Sequence, residues 1–230
     1  MRATKIWRQS AVCLHILTSV GWMTLAVVLL TLMATASASG DPSVRVSALS
    51  MASLVDHRLL ATLANASAFT GFLLCAATPW GFFRHWWVLA KFVITIVQLN
   101  LGIFLLSPTL HTTEAVVRAG DAVPSPVARL AGIACMIGAM AFQAWLSQTK
   151  PWRRTGWSSA TKPAQAPAWV FAAAVAVPLA DIAIGMSAGI PLPLLSAVLL
   201  VVLLVRRRRR ARGAADPQVE RAAAVAVRAS

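Results

Sequence analysis

The chain has 230 residues, 58% of them hydrophobic and only 12% charged, with a mean hydropathy of +0.72. A water-soluble domain carries about 25% charge and less than half apolar residues, so this composition excludes the ordinary soluble class. The formal charge of +14 would point to nucleic acid if it were spread over a soluble surface, but the Lys and Arg residues sit between apolar blocks, where they read as topogenic, and no nucleic-acid partner is expected.

In chain order, the first apolar run extends from Ala11 to Ala36 behind a basic segment, Met1 to Ser10. Ala36-Ser37-Ala38 has the small-x-small form of a signal-peptidase site, yet the run is roughly twice the ~7–15 residues of a signal core, so an uncleaved span is expected. Leu59–Thr78, Trp87–Ser107 and Val127–Ser147 each supply about twenty apolar residues, enough at ~1.5 Å per residue to cross a ~30 Å hydrocarbon layer. Ala168–Val205 is too long for one crossing. The Gly and Pro cluster from Met186 to Pro193 marks a turn that divides it in two.

Loop charge supports that division. With six spans and both termini on the cytoplasmic side, 17 basic residues lie inside and 4 outside (Arg45, Arg58, Arg118, Arg129), whereas five spans would throw the arginine-rich tail to the outside. Eight of the nine tryptophans, Trp22 excepted, then fall near the cytoplasmic interface. The expected architecture is all-α, a polytopic transmembrane bundle of six spans: a four-span core over residues 1–157, a C-terminal hairpin over 158–205, and a basic tail over 206–230. The tail is read either as disordered or as holding a short helix capped by Asp216-Pro217. The outer segments 37–56 and 108–126, rich in Ser, Thr, Ala, Pro and Gly, are expected to be loops.

Ionisable groups within the hydrocarbon are costly and mark candidate sites. Asp181 lies in the fifth span, three residues after Pro178. Depth counted along the spans places Asn65 and Asn100 at nearly its level, with Gln98 deeper and Arg129, His57 and Arg58 just above, which describes an outward-opening polar cluster that binds a small solute or ion; the alternative is that these groups tie helices together. The histidines form an inner pair, His15 and His85, and an outer pair, His57 and His111, an arrangement open to haem b, while Cys13 and the Met136–Met140 pair are open to Cu(I). Neither set has a metal-binding spacing, so the leading expectation is no cofactor and no enzymatic activity, with a haem or copper protein as the alternative. Ala64-x-x-x-Ala68, Ser67-x-x-x-Gly71 and Ala131-x-x-x-Cys135-x-x-x-Ala139 are small-residue packing faces, through which the protein is also open to self-association or to a role as an accessory membrane subunit. Lys91 is expected to snorkel to the inner surface. Arg206, Arg207, Arg208, Arg209 and Arg210 lock the last span and face anionic headgroups of the cell membrane.

Three stretches carry a family likeness: Leu14-His-Ile-Leu-Thr-Ser-Val-Gly-Trp22, Thr78-Pro-Trp-Gly-Phe-Phe-Arg-His-Trp-Trp-Val-Leu-Ala-Lys91 and Ser147-Gln-Thr-Lys-Pro-Trp-Arg-Arg-Thr155. Over residues 1–157 the chain resembles an uncharacterised group of predicted four-span integral membrane proteins of actinobacteria. That resemblance implies a four-helix core and carries over no catalytic residue. The first stretch is also similar to the opening helix of copper-resistance D type membrane proteins, in which a His precedes a Trp by two helical turns; the likeness falls on His15 and Trp22.

Overall fold

A computed structural model describes residues 2–121, 125–158, 165–189 and 191–209, and the described residues form six helices in an up-and-down bundle. These are α1 (Arg2–Ala38), α2 (Pro42–Ala77), α3 (Trp86–Ala119), α4 (Val127–Thr149), α5 (Ala168–Ala188) and α6 (194–209). The first five are long and apolar enough to cross a membrane. The first and last described residues, Arg2 and Arg209, lie at one end, called the terminal end below, together with the α2–α3 and α4–α5 connections. The remaining three turns lie at the far end. Residue 210 and the tail beyond it, including Arg210 and the Asp216-Pro217 cap, lie outside the described residues.

The expected spans are all helical, but the expected outer loops are not loops. The 34 to 37 residues of α1, α2 and α3 reach roughly 50–55 Å, far more than the ~30 Å of hydrocarbon, so all three extend past it as helix. The start of α2 has a local cause. Asp41 accepts from Ser43 N at 2.8 Å, and Pro42 occupies the first turn, where its missing N–H costs nothing. The continuation of α3 through Ser107-Pro108 needs a different device, because Pro108 cannot donate to the carbonyl four residues earlier and its ring crowds that carbonyl. A π turn over Gly102–Leu106 precedes it, with Ser107 N bonded to Gly102 O, and this wider turn absorbs the defect. A second π turn, Asp56–Leu60, interrupts α2. α3 ends at Gly120, whose φ of 78° is the left-handed cap that glycine adopts at least cost. The turn expected over Met186 to Pro193 begins late, since α5 runs to Ala188 before Gly189 closes it.

α1 is the hub, packed against α2, α4 and α5, while α2 also packs against α5 and α3 against α4. Three apolar clusters stack along the bundle. Ala11, Leu73, Ala77, Val170, Phe171, Ala174 and Leu203 form the terminal-end cluster, so the C-terminal hairpin is built into the core rather than appended to it. Trp22, Ala26, Ala64, Met136 and Met140 fill the middle. Leu29, Met33, Ala48, Leu49, Ala52, Leu110 and Ile133 close the far end, where the helical extensions meet.

The small-residue face of α2 is a packing face. Ala64, Ser67 and Ala68 are buried, and a Cβ on Gly71 would stand 3.0 Å from His15 Cε1 of α1. The expected face of α4 is not. Ala131 and Cys135 are exposed, and Ile133, Met136 and Met140 are buried instead, because the larger residues fill the gap that α1 leaves there.

At the terminal end, Thr155 N bonds to Arg84 O, Thr155 Oγ1 donates to Phe83 O, and Trp86 meets Trp157 edge to face, so the two connections pack as one cap. The aromatic belt expected at this interface is gathered there, and Trp22 alone lies buried in the bundle. Within the arginine run, Arg206 stacks on Trp169, and Arg207 donates to Cys75 O and Ala76 O, neutralising the C-terminal carbonyls of α2. Arg208 and Arg209 are exposed.

Candidate functional site

The polar residues that depth alone grouped together divide into separate neighbourhoods. Asp181 is buried on α5, and its two carboxylate oxygens accept from Leu195 N and Ser196 N at 3.1 and 2.8 Å. Those amides belong to the first turn of α6, which follows Pro193. Proline has no side-chain acceptor with which to cap the helix, so a carboxylate from the neighbouring helix supplies the cap and meets the positive end of its dipole. Asn65 donates to Pro191 O at 2.6 Å in the same turn. Asp181 and Asn65 thus share one neighbourhood, as expected, and both are engaged in holding the α5–α6 turn.

Asn100 is elsewhere. Its side chain is exposed and donates to Ile96 O of its own helix at 2.8 Å, because α3 turns that face away from the bundle. Gln98, two residues earlier, points inward instead and bonds to Met136 O at 2.9 Å, with Gln143 and Thr95 completing an α3–α4 seam. Lys91 does not simply snorkel: its Nζ donates to Ser147 Oγ of α4 at 2.6 Å.

Arg129 lies at the far end, away from Asp181. It donates to Thr113 Oγ1 of α3 and lines a cavity of about 20 Å³ together with Asp56, Thr109 and the apolar residues Leu29, Met33, Leu106, Leu110 and Ile133. The cavity walls are mainly apolar, with Asp56, Thr109 and Arg129 as the polar groups, and the volume is about that of one water molecule. Asp56 is 6% exposed and sits at the start of the α2 π turn. Ser107, which closes the α3 π turn, donates to Asp56 Oδ2 at 2.6 Å, and His111 Nε2 stands 3.9 Å from the same oxygen. The two π turns therefore face each other across a buried carboxylate. Beyond them, Ser50 and Arg118 converge on Glu114 Oε1 at 2.7–3.0 Å and tie the two helical extensions together.

Asp56 and Ser107 were not singled out by the sequence reading. Asp56 was counted as an acid of an outer loop, and no hydropathy signal shows that this loop is helix. The available signal is Pro108 following an uninterrupted apolar run, a position at which a continuing helix must kink or widen.

The histidines occupy different settings. His15 Nδ1 is 3.1 Å from Ser67 O and 3.0 Å from Thr70 Oγ1, in the α1–α2 seam. His85 packs beside Trp80 and Trp87 in the terminal-end cap, where burial, partly offset by the Trp80 carbonyl, holds its imidazole below the ordinary range. His57 is exposed, and His111 is half exposed beside Asp56. Among the described residues no three His, Cys, Asp or Glu side chains gather as a metal site. His15 lies in the α1–α2 seam and His85 in the terminal-end cap, so the inner pair does not share one neighbourhood.

This arrangement defines a polytopic helical membrane protein in which, among the described residues, Asp56 and Asp181 are buried carboxylates towards the far end. A family model described as "Predicted integral membrane protein (DUF2269)" matches residues 10–148, and the chain belongs to that family. The match covers α1 to α4 and leaves the α5–α6 hairpin outside it. No curated protein and no solved structure matches the chain.

Proposed function

We propose that this membrane bundle binds a small ion or water-sized solute in the far-end pocket, as a transport component or an accessory membrane subunit rather than an enzyme. Asp56 carries the reading. A carboxylate buried at the end of a membrane bundle is costly without compensation, and among the described residues Ser107 donates to this one, with the His111 imidazole beside it and Arg129 lining the same space. The cavity volume favours an ion or a water over a larger solute. π turns in both walls supply the local irregularity at which helices open. The bundle is placed in the cell membrane with both termini in the cytoplasm, on the strength of its loop arginines, and Arg208 and Arg209 are placed against anionic headgroups. The exposed face of Ala131 and Cys135 on α4 supports self-association or subunit packing as a second role.

Thermal unfolding of the detergent-solubilised full chain tests the pocket, with lithium, sodium and potassium chlorides and sodium formate compared against choline chloride at equal ionic strength. One salt is expected to raise the wild-type midpoint in proportion to the logarithm of its concentration, and Asp56→Asn and Arg129→Gln, each still folded, are expected to abolish that shift. A shift that persists in both variants, or none with any salt, refutes the pocket.

A further inference from the structure

On another side of α1 and α2, a laterally open groove of about 310 Å³ runs between α1, α2 and α5. It is lined by Gly21, Thr24 and Leu25 of α1, Leu59, Thr62 and Leu63 of α2, and Met186 of α5. The groove follows from one close approach: a Cβ on Gly21 would come within 2.8 Å of Leu63 Cδ1, so α1 and α2 nearly touch there and leave a trough above the seam. The Thr62 hydroxyl is turned back to Arg58 O at 3.1 Å, which keeps the lining apolar. Five of the seven lining residues are Gly, Leu or Met, and the trough runs between three helices long and apolar enough to cross a membrane.

A cation stands at one end of this trough. The Arg58 guanidinium reaches over Gly189, whose Cβ would meet Arg58 Nη1 at 3.1 Å, three residues beyond Met186. Gly189 closes α5 with a φ of 68°, so the guanidinium is drawn to the negative end of that helix while remaining exposed. Both ion pairs between side chains among the described residues involve other groups, His111 with Asp56 and Arg118 with Glu114. An apolar trough beside an exposed guanidinium is complementary to an anionic lipid.

We infer that this groove is a specific site for an anionic phospholipid in the leaflet at the far end, with one acyl chain in the trough over Gly21 and Thr24 and the phosphate on Arg58. The site is separate from the Asp56 pocket and stands or falls independently of it.

Native mass spectrometry of the detergent-solubilised full chain, titrated with dioleoyl phosphatidylglycerol or dioleoyl phosphatidylcholine, tests it. The wild type is expected to bind one phosphatidylglycerol about tenfold more tightly than phosphatidylcholine, the effect of one favourable charge contact. Arg58→Gln removes that preference, Arg58→Lys retains most of it, and Thr24→Trp, which fills the trough from an exposed position, weakens both lipids. Asp56→Asn leaves phosphatidylglycerol binding unchanged. Far-UV circular dichroism and a single gel-filtration peak confirm that each variant is folded. Equal affinity for the two lipids on the wild type, an unaltered preference in Arg58→Gln, or unaltered binding in Thr24→Trp overturns the proposal. Displacement of phosphatidylglycerol by 10 mM inorganic phosphate also overturns it, by assigning Arg58 to free phosphate.

Discussion

Replacing Asp181 with alanine is expected to lower the stability of the bundle by about 3 kcal/mol, because two backbone amides of α6 lose their acceptor, that of Ser196 buried and that of Leu195 partly so, at roughly 1.5–3 kcal/mol for each such bond. Pro191 and Pro193 have no N–H and no side-chain acceptor with which to rebuild the turn. Asp181→Asn retains one acceptor oxygen and is expected to cost about half as much. Reversible unfolding in a mixed-micelle titration with sodium dodecyl sulfate measures both. A loss confined to ion binding, with stability unchanged, would show that the carboxylate serves a ligand and not the helix cap.

The second large effect is expected at the α1–α2 seam. Gly71→Val places a branched side chain where even a Cβ is 3.0 Å from the His15 ring, and that ring is held by Ser67 O and Thr70 Oγ1 and cannot swing aside. Overpacking of this kind costs roughly 1–3 kcal/mol, and the upper end is expected here. Removing the ring restores the space, so Gly71→Val combined with His15→Ala is expected to recover most of the loss, a coupling that the same titration reads as non-additivity. Gly21→Ala is the contrast. It meets only the flexible tip of Leu63, which can rotate, and the expected cost is below ~1 kcal/mol. Additive effects at positions 15 and 71 would mean that the two helices do not meet at this pair.

The spans were legible in the sequence because crossing lipid imposes a length and a hydropathy that few other elements share, and the gathering of tryptophans at one end followed from the same assignment. The helical extensions were illegible for the same reason. Beyond the hydrocarbon, α2 and α3 are built from Ser, Thr and Ala with interspersed charge, which hydropathy reads as loop. The Asp41 cap was nevertheless written in Asp41-Pro42-Ser43.

Depth-matching brings together only some of the polar residues. Counting residues along a span gives height but not azimuth, and a helix turns about 100° per residue. Asn65 and Asp181 share a height and a face. Asn100 shares the height alone, and its neighbour Gln98 takes the inward face. Arg129 neighbours Thr113 and Asp56, on segments whose composition reads as loop.

The central claim is that the Asp56–Arg129 pocket opens on the side of the membrane opposite the termini. Cysteine labelling in intact cells tests this most directly, with Cys13, Cys75 and Cys135 replaced by alanine and single cysteines introduced as His111→Cys and Trp152→Cys. A membrane-impermeant maleimide is expected to label position 111 in intact cells and position 152 only after lysis. Labelling of position 152 in intact cells, with position 111 protected until lysis, would contradict the account.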